Sequence, residues 1–295
     1  MNKIISKINN SKHIVVVANG CVDSICSASA FYTYLLTLHK KVSFCSSNQL
    51  ESRLSFIPWS QKVKNNFPSS ADFAIAFGNV DNKINIECES IKIDMINNNS
   101  ISKIVYDLFK NNSINLNHKM ATSLYSGILD STNGFLDDNV DGTIFAMAKE
   151  LVELGIDTKI CNKYIIKYMS LASFRLKSMM LNDMKLVLGA RVALFVVKDD
   201  DLLSFGATEK DCENIISEAL FLPTVDVAIL LREHNDFSIK ALLKSHGSLD
   251  LMKIVSQFNG VGNHKVVKFD FLNENQIKEK KLELLYKEIE IESKK

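Results

Sequence analysis

Three aspartates stand where predicted elements end, and they are the residues of this sequence best suited to chemistry. Asp23 follows the first predicted strand, Asp94 lies near the end of a later strand, and Asp130 ends a predicted helix. Carboxylate oxygens are the ligands that Mg²⁺ and Mn²⁺ prefer, and a site for two such ions normally uses several protein ligands. Spacing alone leaves two interpretations open: a metal site, or capping and surface aspartates.

The elements that must position these aspartates alternate between strand and helix in the first half of the chain. Continuous β-branched runs predict buried strands, and apolar residues at helical spacing predict the helices between them. The predicted strands are 13–19, 41–46, 72–79 and 90–96, and the predicted helices are 24–38, 101–110, 119–129 and 142–154. This alternation favours an α/β fold, with a mostly parallel sheet and helices on both faces, in a first domain over residues 1–155.

The second half has a different organisation. Residues 158–182 are helical in pattern and contain no Pro or Gly, which predicts a helical connector over 156–184. Strand patterns at 185–198, 225–232 and 237–243, with helices at 209–220 and 249–258, predict a smaller mixed α/β domain over 185–272. A charged helix at 273–291 is expected to dominate the remaining segment, 273–295.

The overall composition limits the class of protein and its partners. Hydrophobic residues make up 46% of the 295 residues, and 35 Lys and Arg balance 34 Asp and Glu. This excludes a disordered polyelectrolyte and a strongly basic coat, so long duplex nucleic acid is not an expected partner. The six cysteines show no CxxC spacing, and no apolar stretch is long enough to span a membrane. We therefore expect a cytoplasmic protein with reduced thiols and no membrane partner.

The succession of segments over roughly residues 12–270 resembles the DHH phosphoesterase family with its DHH-associated C-terminal domain, the group of RecJ-like exonucleases and nanoRNases. In that family the first strand leads into His-x-Asn-Pro-Asp-Gly-Asp. Asn19 and Asp23 match this motif, whereas Val17 replaces the histidine and Cys21 the first aspartate. The motif that gives the family its name, Asp-His-His, appears later as Asp94-Met95-Ile96.

Two further metal motifs of the family can be compared with this sequence. The aspartate expected at the end of the preceding strand falls near Phe77 or Gly78 and is missing, whereas Asp130 matches the aspartate of the family's Asp-Thr-Gly segment. The resemblance therefore implies that Asp23, Asp94 and Asp130 are the surviving metal positions.

The second half is similar to the family's substrate-binding domain, including the connecting helix, here 171–181. The family carries an arginine in a Ser-Leu-Arg-Ser context, and Lys240 is placed at this position. A glycine-rich loop follows, whose histidine corresponds to Asn263 without a gap or to His264 after a shift of one residue. The resemblance assigns six residues to the substrate phosphate: Asn19, Lys240, Gly260, Gly262, Asn263 and His264.

The family uses two Mn²⁺ ions to activate a water molecule that attacks phosphorus. Val17, Met95 and Ile96 offer no useful lone pair to a metal ion, so the resemblance implies that the dinuclear centre is lost. The three aspartates are then expected to hold one Mn²⁺ or Mg²⁺ ion weakly, or none. The apolar replacements also predict a drier floor of the site, which would raise the pKa values of an aspartate cluster there.

From this resemblance we expect a phosphoesterase homologue that binds a nucleotide or short single-stranded oligonucleotide in a cleft between its domains. Hydrolysis is expected to be lost or weakened, so that the protein is a pseudoenzyme. Two alternatives remain open. One is an active metal-dependent phosphodiesterase or exonuclease acting on short oligonucleotides, cyclic dinucleotides or a nucleoside bisphosphate. The other is a structural partner that pairs with an active homologue or with itself as a homodimer.

Overall fold

A computed structural model describes residues 2–80, 84–95, 100–137, 140–271 and 275–293 of the chain. The chain divides into two units, Met1–Tyr168 and Met169–Lys295. This division falls inside the segment 156–184 that the sequence predicts as a connector. Ile96, the asparagines at 97–99 and Asn273, all part of predictions above, lie outside the described residues.

The first unit contains a sheet of five parallel strands in the order β3-β2-β1-β4-β5. The strands are β1 (His13–Ala18), β2 (Lys41–Ser46), β3 (Val63–Lys64), β4 (Phe73–Phe77) and β5 (Glu89–Ile93). All residues of β1 and β4 are buried, which explains why both read as continuous apolar runs. The parallel sheet predicted from the sequence is confirmed.

Six helices belong to this unit: α1 (Asn2–Asn10), α2 (Val22–Thr37), α3 (Ile101–Asn111), α4 (His118–Ser131), α5 (Gly142–Glu153) and α6 (Thr158–Ile165). Their buried side chains form one core with alternate strand residues such as Ile14, Val16 and Ile75. The intervening residues, Val15 and Val17 among them, face a smaller cluster on the other side of the sheet.

The smaller cluster lies on the other face of the sheet. Among the described residues it contains strand and loop side chains, Phe67 and Ile86 among them, and no helical residue. The segments that join β3 to β4 and β4 to β5 run over this face, and their described residues form no helix. The buried side chains of the six described helices belong to the larger core.

The second unit contains a mixed sheet of six strands in the order β10-β11-β9-β8-β7-β6. Its strands are β6 (Lys185–Val187), β7 (Val192–Lys198), β8 (Val227–Glu233), β9 (Ile239–Ser245), β10 (Val261–Gly262) and β11 (Val266–Phe271). Its helices are α7 (Leu171–Asn182), α8 (Asp199–Phe205), α9 (Glu209–Ala219), α10 (Leu251–Ile254) and α11 (Asn275–Glu292). Here helices cover both faces: α7 and α9 pack on one, and α10 and α11 on the other.

Several predicted elements are divided or were missed. The predicted helix 158–182 is two helices, α6 and α7, because Ser170 caps a new helix by accepting a hydrogen bond from the Ser173 N–H. The predicted strand 185–198 is a hairpin whose turn uses Gly189. The predicted helix 249–258 is only one turn of α10 followed by a 3₁₀ turn. The prediction also lacked β10 and β11, which follow an Asn- and Gly-rich segment that resembles a loop.

None of the helices formed by the described residues is long and apolar enough to cross a membrane.

Candidate functional site

Asp23 lies in the first turn of α2, directly after β1, and is 6% exposed. Its two carboxylate oxygens are both occupied by backbone donors: Oδ2 accepts from the Ile101 N–H at 2.7 Å and Oδ1 from the Ser102 N–H at 3.0 Å. These are the first residues of α3, so the carboxylate sits at the positive end of that helix. Asp23 therefore anchors α3 to α2.

Burial raises the pKa of the Asp23 carboxyl above its ordinary value, although hydrogen bonds from Ser102 and Ile101 partly offset this effect. The surrounding groups are also satisfied internally. The hydroxyl of Ser102 lies 2.9 Å from that of Ser27, and both serines are fully buried. Helix α4 closes the site with Gly127, since a Cβ atom there would lie 2.0 Å from Ser102 Oγ and 3.0 Å from Asp23 Oδ1.

Asn19 holds the turn between β1 and α2 together. Its Oδ1 accepts from the Cys21 N–H at 3.0 Å and from the Ser24 hydroxyl at 2.6 Å. Its main-chain carbonyl accepts from the side chains of Ser47 and Asn48, each at 2.9 Å. These contacts give Asn19 a structural role within the first unit.

Asp94 follows β5 and lies at the surface of the first unit. Its Oδ2 pairs with Lys92 Nζ at 2.6 Å, with the two side chains 47% (Lys92) and 39% (Asp94) exposed. Its Oδ1 accepts from the Met95 N–H at 2.9 Å. The hydrogen bond from Lys92 is the largest cause that lowers the pKa of Asp94. Asp94 is thus tied to its own segment of chain.

Asp130 lies in the last turn of α4 and is half-buried. Burial, followed by the charges of Asp130 and Asp23, raises the pKa of the fully buried Cys26 thiol well above its ordinary value. The two carboxylates therefore share the neighbourhood of Cys26, where α2 and α4 face each other. Asp23 and Asp130 thus both lie near Cys26.

The sequence predicted that apolar replacements of metal ligands form a dry floor of the site, but the structure places these replacements elsewhere. Val17 faces the opposite side of the sheet from α2, Met95 is 64% exposed, and Ile96 is outside the described residues. Val17 and Met95 therefore do not line a floor beneath Asp23. The raised pKa of Asp23 results from its burial beneath α3 and α4.

The second unit separates the predicted phosphate ligands. Lys240 pairs in register with Asp270 at one end of the β9–β11 ladder, whereas Lys244 pairs with Val266 near the other end. Asn263 lies beside Val266, whose carbonyl accepts from the Asn263 N–H at 2.8 Å. Four strand residues span roughly 13 Å, so Lys240 and Asn263 lie at different levels of the sheet.

The loop residues of that set have structural roles of their own. Asn263 Oδ1 accepts from the N–H groups of Lys265 and Val266, both at 2.9 Å. A Cβ atom at Gly260 would lie 2.3 Å from Val255 Cγ2, and one at Gly262 would lie 2.1 Å from the Val266 carbonyl oxygen. The two glycines allow close packing against α10 and β11. His264 is exposed, and its carbonyl accepts from the Leu251 N–H.

Several solved structures have a similar fold. An exopolyphosphatase-related protein from Bacteroides fragilis matches with a TM-score of 0.82 at 20% identity, over 97% of this chain and 95% of its own. This likeness shows that the two chains share a fold. RecJ from Thermus thermophilus in complex with Mg²⁺ matches at 0.54 and 10% identity, over 98% of this chain and 51% of that RecJ chain. An exonuclease RecJ bound to manganese matches at 0.50 and 9% identity, covering 97% of this chain and 93% of its own.

None of the protein-family models matches the sequence, and none of the curated proteins does.

The donor side chains among the described residues do not fit a dinuclear metal centre. In the part of the chain that the structure describes, no three His, Cys, Asp or Glu side chains are grouped to hold a metal ion. Both oxygens of Asp23 face N–H donors, which repel a cation, and Asp94 is bound to an ammonium group. A pair of divalent ions needs several negatively charged ligands pointing at one point, and these aspartates do not provide them.

The sequence analysis did not single out Lys244. Lys244 and Ser245, rather than Lys240, lie at the level of the glycine loop. Lys244 Nζ donates to the Glu213 carbonyl at 2.7 Å and to Ser217 Oγ at 2.9 Å, and burial lowers its pKa. The level of each lysine along the sheet could be recognised only once the strand register was known.

Proposed function

We propose that this chain is a DHH-fold protein that binds a nucleotide or short oligonucleotide through its phosphodiester and no longer hydrolyses it with two metal ions. The observation that carries the proposal is the Asp23 carboxylate. It accepts the N–H groups of Ile101 and Ser102 and therefore serves as a helix anchor. A metal ion that binds this carboxylate would have to compete with the positive end of α3, which both oxygens already face.

The ligand class is supported by the fold and by the second unit. RecJ is named an exonuclease and the Bacteroides fragilis protein an exopolyphosphatase-related protein, so both names refer to chains linked through phosphate. In the second unit Lys244 lies at the level of Asn263, next to a loop in which Gly260 and Gly262 remove side-chain bulk. A lysine ammonium group is suited to a phosphate group.

The test of lost hydrolysis is Mn²⁺-dependent release of mononucleotide from a dinucleotide, combined with metal analysis of the purified chain. We expect fewer than two tightly bound ions per chain and no release above the buffer rate. Asp130→Ala is the control variant, with its folding checked by circular dichroism. Release that Asp130→Ala abolishes would contradict the proposal, whereas release that survives in this variant would identify a contaminating nuclease.

Binding is tested separately, so that it stands or falls without the metal result. The anisotropy of a fluorescently labelled dinucleotide is followed as the full chain is added in buffer containing EDTA. We expect saturable binding that competes with an unlabelled dinucleotide and weakens with salt, because phosphate contacts release counterions. No binding in either EDTA or Mn²⁺ would overturn this half of the proposal.

A further inference from the structure

A small cavity in the second unit lies on the sheet face that carries α9. It has a volume of about 60 Å³ and an apolar floor that includes Leu230 and Leu242. Its charged lining residues come from β8, β9, β11 and α9, and they are Arg232, Lys240, Lys268, Glu209, Glu213 and Asp270. Nothing described above uses this cavity, and it lies at the opposite end of β9 from the glycine loop.

Arg232 is the buried charge of this cavity, with only 3% of its surface exposed. Its Nη1 donates to the Val197 carbonyl at 2.8 Å and its Nη2 to Asp199 Oδ1 at 2.7 Å. Its remaining nitrogen, Nε, is buried and has no acceptor among the described residues. Buried donors without an acceptor are rare in folded proteins, so this N–H points to a group that the protein alone does not supply.

A second cation stands directly opposite Arg232. Lys240 is its register partner across the β8–β9 pair, so the two side chains lie on the same face of the sheet. The side chain of Lys240 makes no hydrogen bond or ion pair with any residue that the structure describes. Like charges directly opposite each other destabilise a sheet, and an anion between them would remove that repulsion.

The other charged groups limit the size and charge of a ligand. Lys268 is already bound to Glu213 by an ion pair, so it adds little free positive charge. Glu209 and Asp270 are exposed and disfavour a long polyanion at the mouth. The volume corresponds to roughly two water molecules at about 30 Å³ each, enough for the head of a small ligand and no more.

We propose that this cavity is a binding site for a single oxyanion group, a phosphate or a carboxylate. One oxygen of the group accepts the Arg232 Nε–H and another binds the Lys240 ammonium. The site is independent of any metal in the first unit and of the phosphodiester binding proposed above.

The experiment uses the full chain labelled with ¹⁵N-arginine. The sequence contains four arginines, so the spectrum has four Nε–H signals, and Arg232→Lys identifies the one from Arg232. Inorganic phosphate and acetate are titrated separately. We expect one of them to shift the Arg232 signal alone in a saturable manner, and the one that does so assigns the site to a phosphate or a carboxylate ligand.

The matched variants are Lys240→Gln and Lys185→Gln. Both remove one exposed lysine charge from a strand of the same sheet, but Lys185 lies in β6, away from the cavity. We expect Lys240→Gln to weaken binding at least tenfold and Lys185→Gln to leave it unchanged. An Arg232 signal that neither anion shifts, or equal affinities of the two variants, would overturn the proposal. Neither result would bear on dinucleotide binding or hydrolysis, because those assays use different ligands.

Discussion

The two units differ in whether their buried charged groups have hydrogen-bond partners. In the first unit the Asp23 carboxylate is fully paired with the backbone of α3, and the hydroxyls beside it are paired with each other. In the second unit the buried Arg232 and the neighbouring His234 each retain a ring or guanidinium nitrogen without a partner among the described residues. A site whose polar groups satisfy one another has no capacity left for a ligand, whereas unpaired groups retain it.

This difference bears on the proposed loss of the metal site in the first unit. When the other metal ligands are replaced, the carboxylate that remains needs a new partner because it is buried. The N-terminus of α3 is such a partner, and it stabilises the anion without a cation. In the second unit, Arg232 Nε has no equivalent partner among the described residues.

The largest expected effect is the loss of stability in Asp23→Ala. This change leaves the N–H groups of Ile101 and Ser102, which are 2% and 0% exposed, without acceptors. Each buried donor left unpaired costs about 1–3 kcal/mol, so the free energy of unfolding should fall by about 2–5 kcal/mol. Urea denaturation in EDTA measures this loss.

Asp107→Ala is the matched control, because Asp107 is an exposed carboxylate on α3 that pairs only with Lys103. We expect it to change the free energy of unfolding by less than about 1 kcal/mol. A metal-ligand role for Asp23 predicts the reverse pattern: little change in EDTA and a large loss of Mn²⁺-dependent stabilisation. That pattern would show that Asp23 binds a metal ion, and the contrast between the two units would not hold.

Gly127→Ala should cause the next largest change in the free energy of unfolding. The sign of this change tests how tightly α4 packs. Ala is favoured over Gly in a helix by about 1 kcal/mol, so propensity alone predicts stabilisation. The added Cβ would however lie 2.0 Å from Ser102 Oγ, and overpacking of this kind costs about 1–3 kcal/mol. We therefore expect a net loss in a thermal or urea unfolding experiment.

Gly142→Ala provides the control for Gly127→Ala. Gly142 begins α5, and an added Cβ atom there would meet nothing within 4 Å. It should be neutral or slightly stabilising. If both variants were stabilising, α4 would not pack against Asp23 as tightly as the structure has it.

Much of the fold could be predicted because the sequence patterns that indicate its strands and helices are local. The strand β1 is a run of β-branched residues, and α3 begins at Ser100, whose hydroxyl accepts from the Lys103 N–H. The partner of Asp23 was not predictable, because Ile101 is 78 positions away and the contact depends on how α2 and α3 pack. Sequence spacing could place Asp23 near a strand end but could not say which donors it meets.

The second unit shows a different limit of prediction from sequence. Side chains alternate along a strand, so Lys240 and Lys244 lie on the same face of β9 and look equivalent in sequence. Only the register, in which Lys244 pairs with Val266 and Lys240 with Asp270, separates them. The unpaired nitrogen of Arg232 could not be foreseen at all, because it depends on the positions of Val197 and Asp199.

The dependence of stability on pH sharpens the comparison, because the two units are expected to respond with opposite signs. Burial raises the pKa of Asp23 from its ordinary value of 3.8, so the folded state binds its proton more tightly than the unfolded state. Its effect on stability therefore becomes more unfavourable as pH rises through the interval above 3.8. In the second unit the hydrogen bond from the Asn235 N–H, together with His234 and Arg232, lowers the pKa of Asp199. Asp199 therefore contributes stability that is present above 3.8 and is lost as pH falls below it.

These signs are measured with Asp23→Asn and Asp199→Asn in urea denaturation between about pH 3 and pH 7, the range in which carboxyl groups titrate. Relative to the unmodified chain, Asp23→Asn should gain stability as pH rises, and the deficit of Asp199→Asn should shrink as pH falls toward about 3. Parallel curves for both variants would show that the two carboxylates do not differ in this way.

The smallest expected effect is the coupling between Asp23 and Asp94, which we expect to be close to zero. Asp23 is buried against α3, whereas Asp94 pairs with Lys92 at the surface and shares no partner with Asp23 among the described residues. The losses of stability in Asp23→Ala and Asp94→Ala should therefore add to within about 0.5 kcal/mol in the double variant. A single metal ion bound by both carboxylates would make the second substitution cost little once the first had removed the ion. The cycle is therefore measured in EDTA and again in Mn²⁺, and a coupling that is found only in Mn²⁺ would restore the metal site to the first unit.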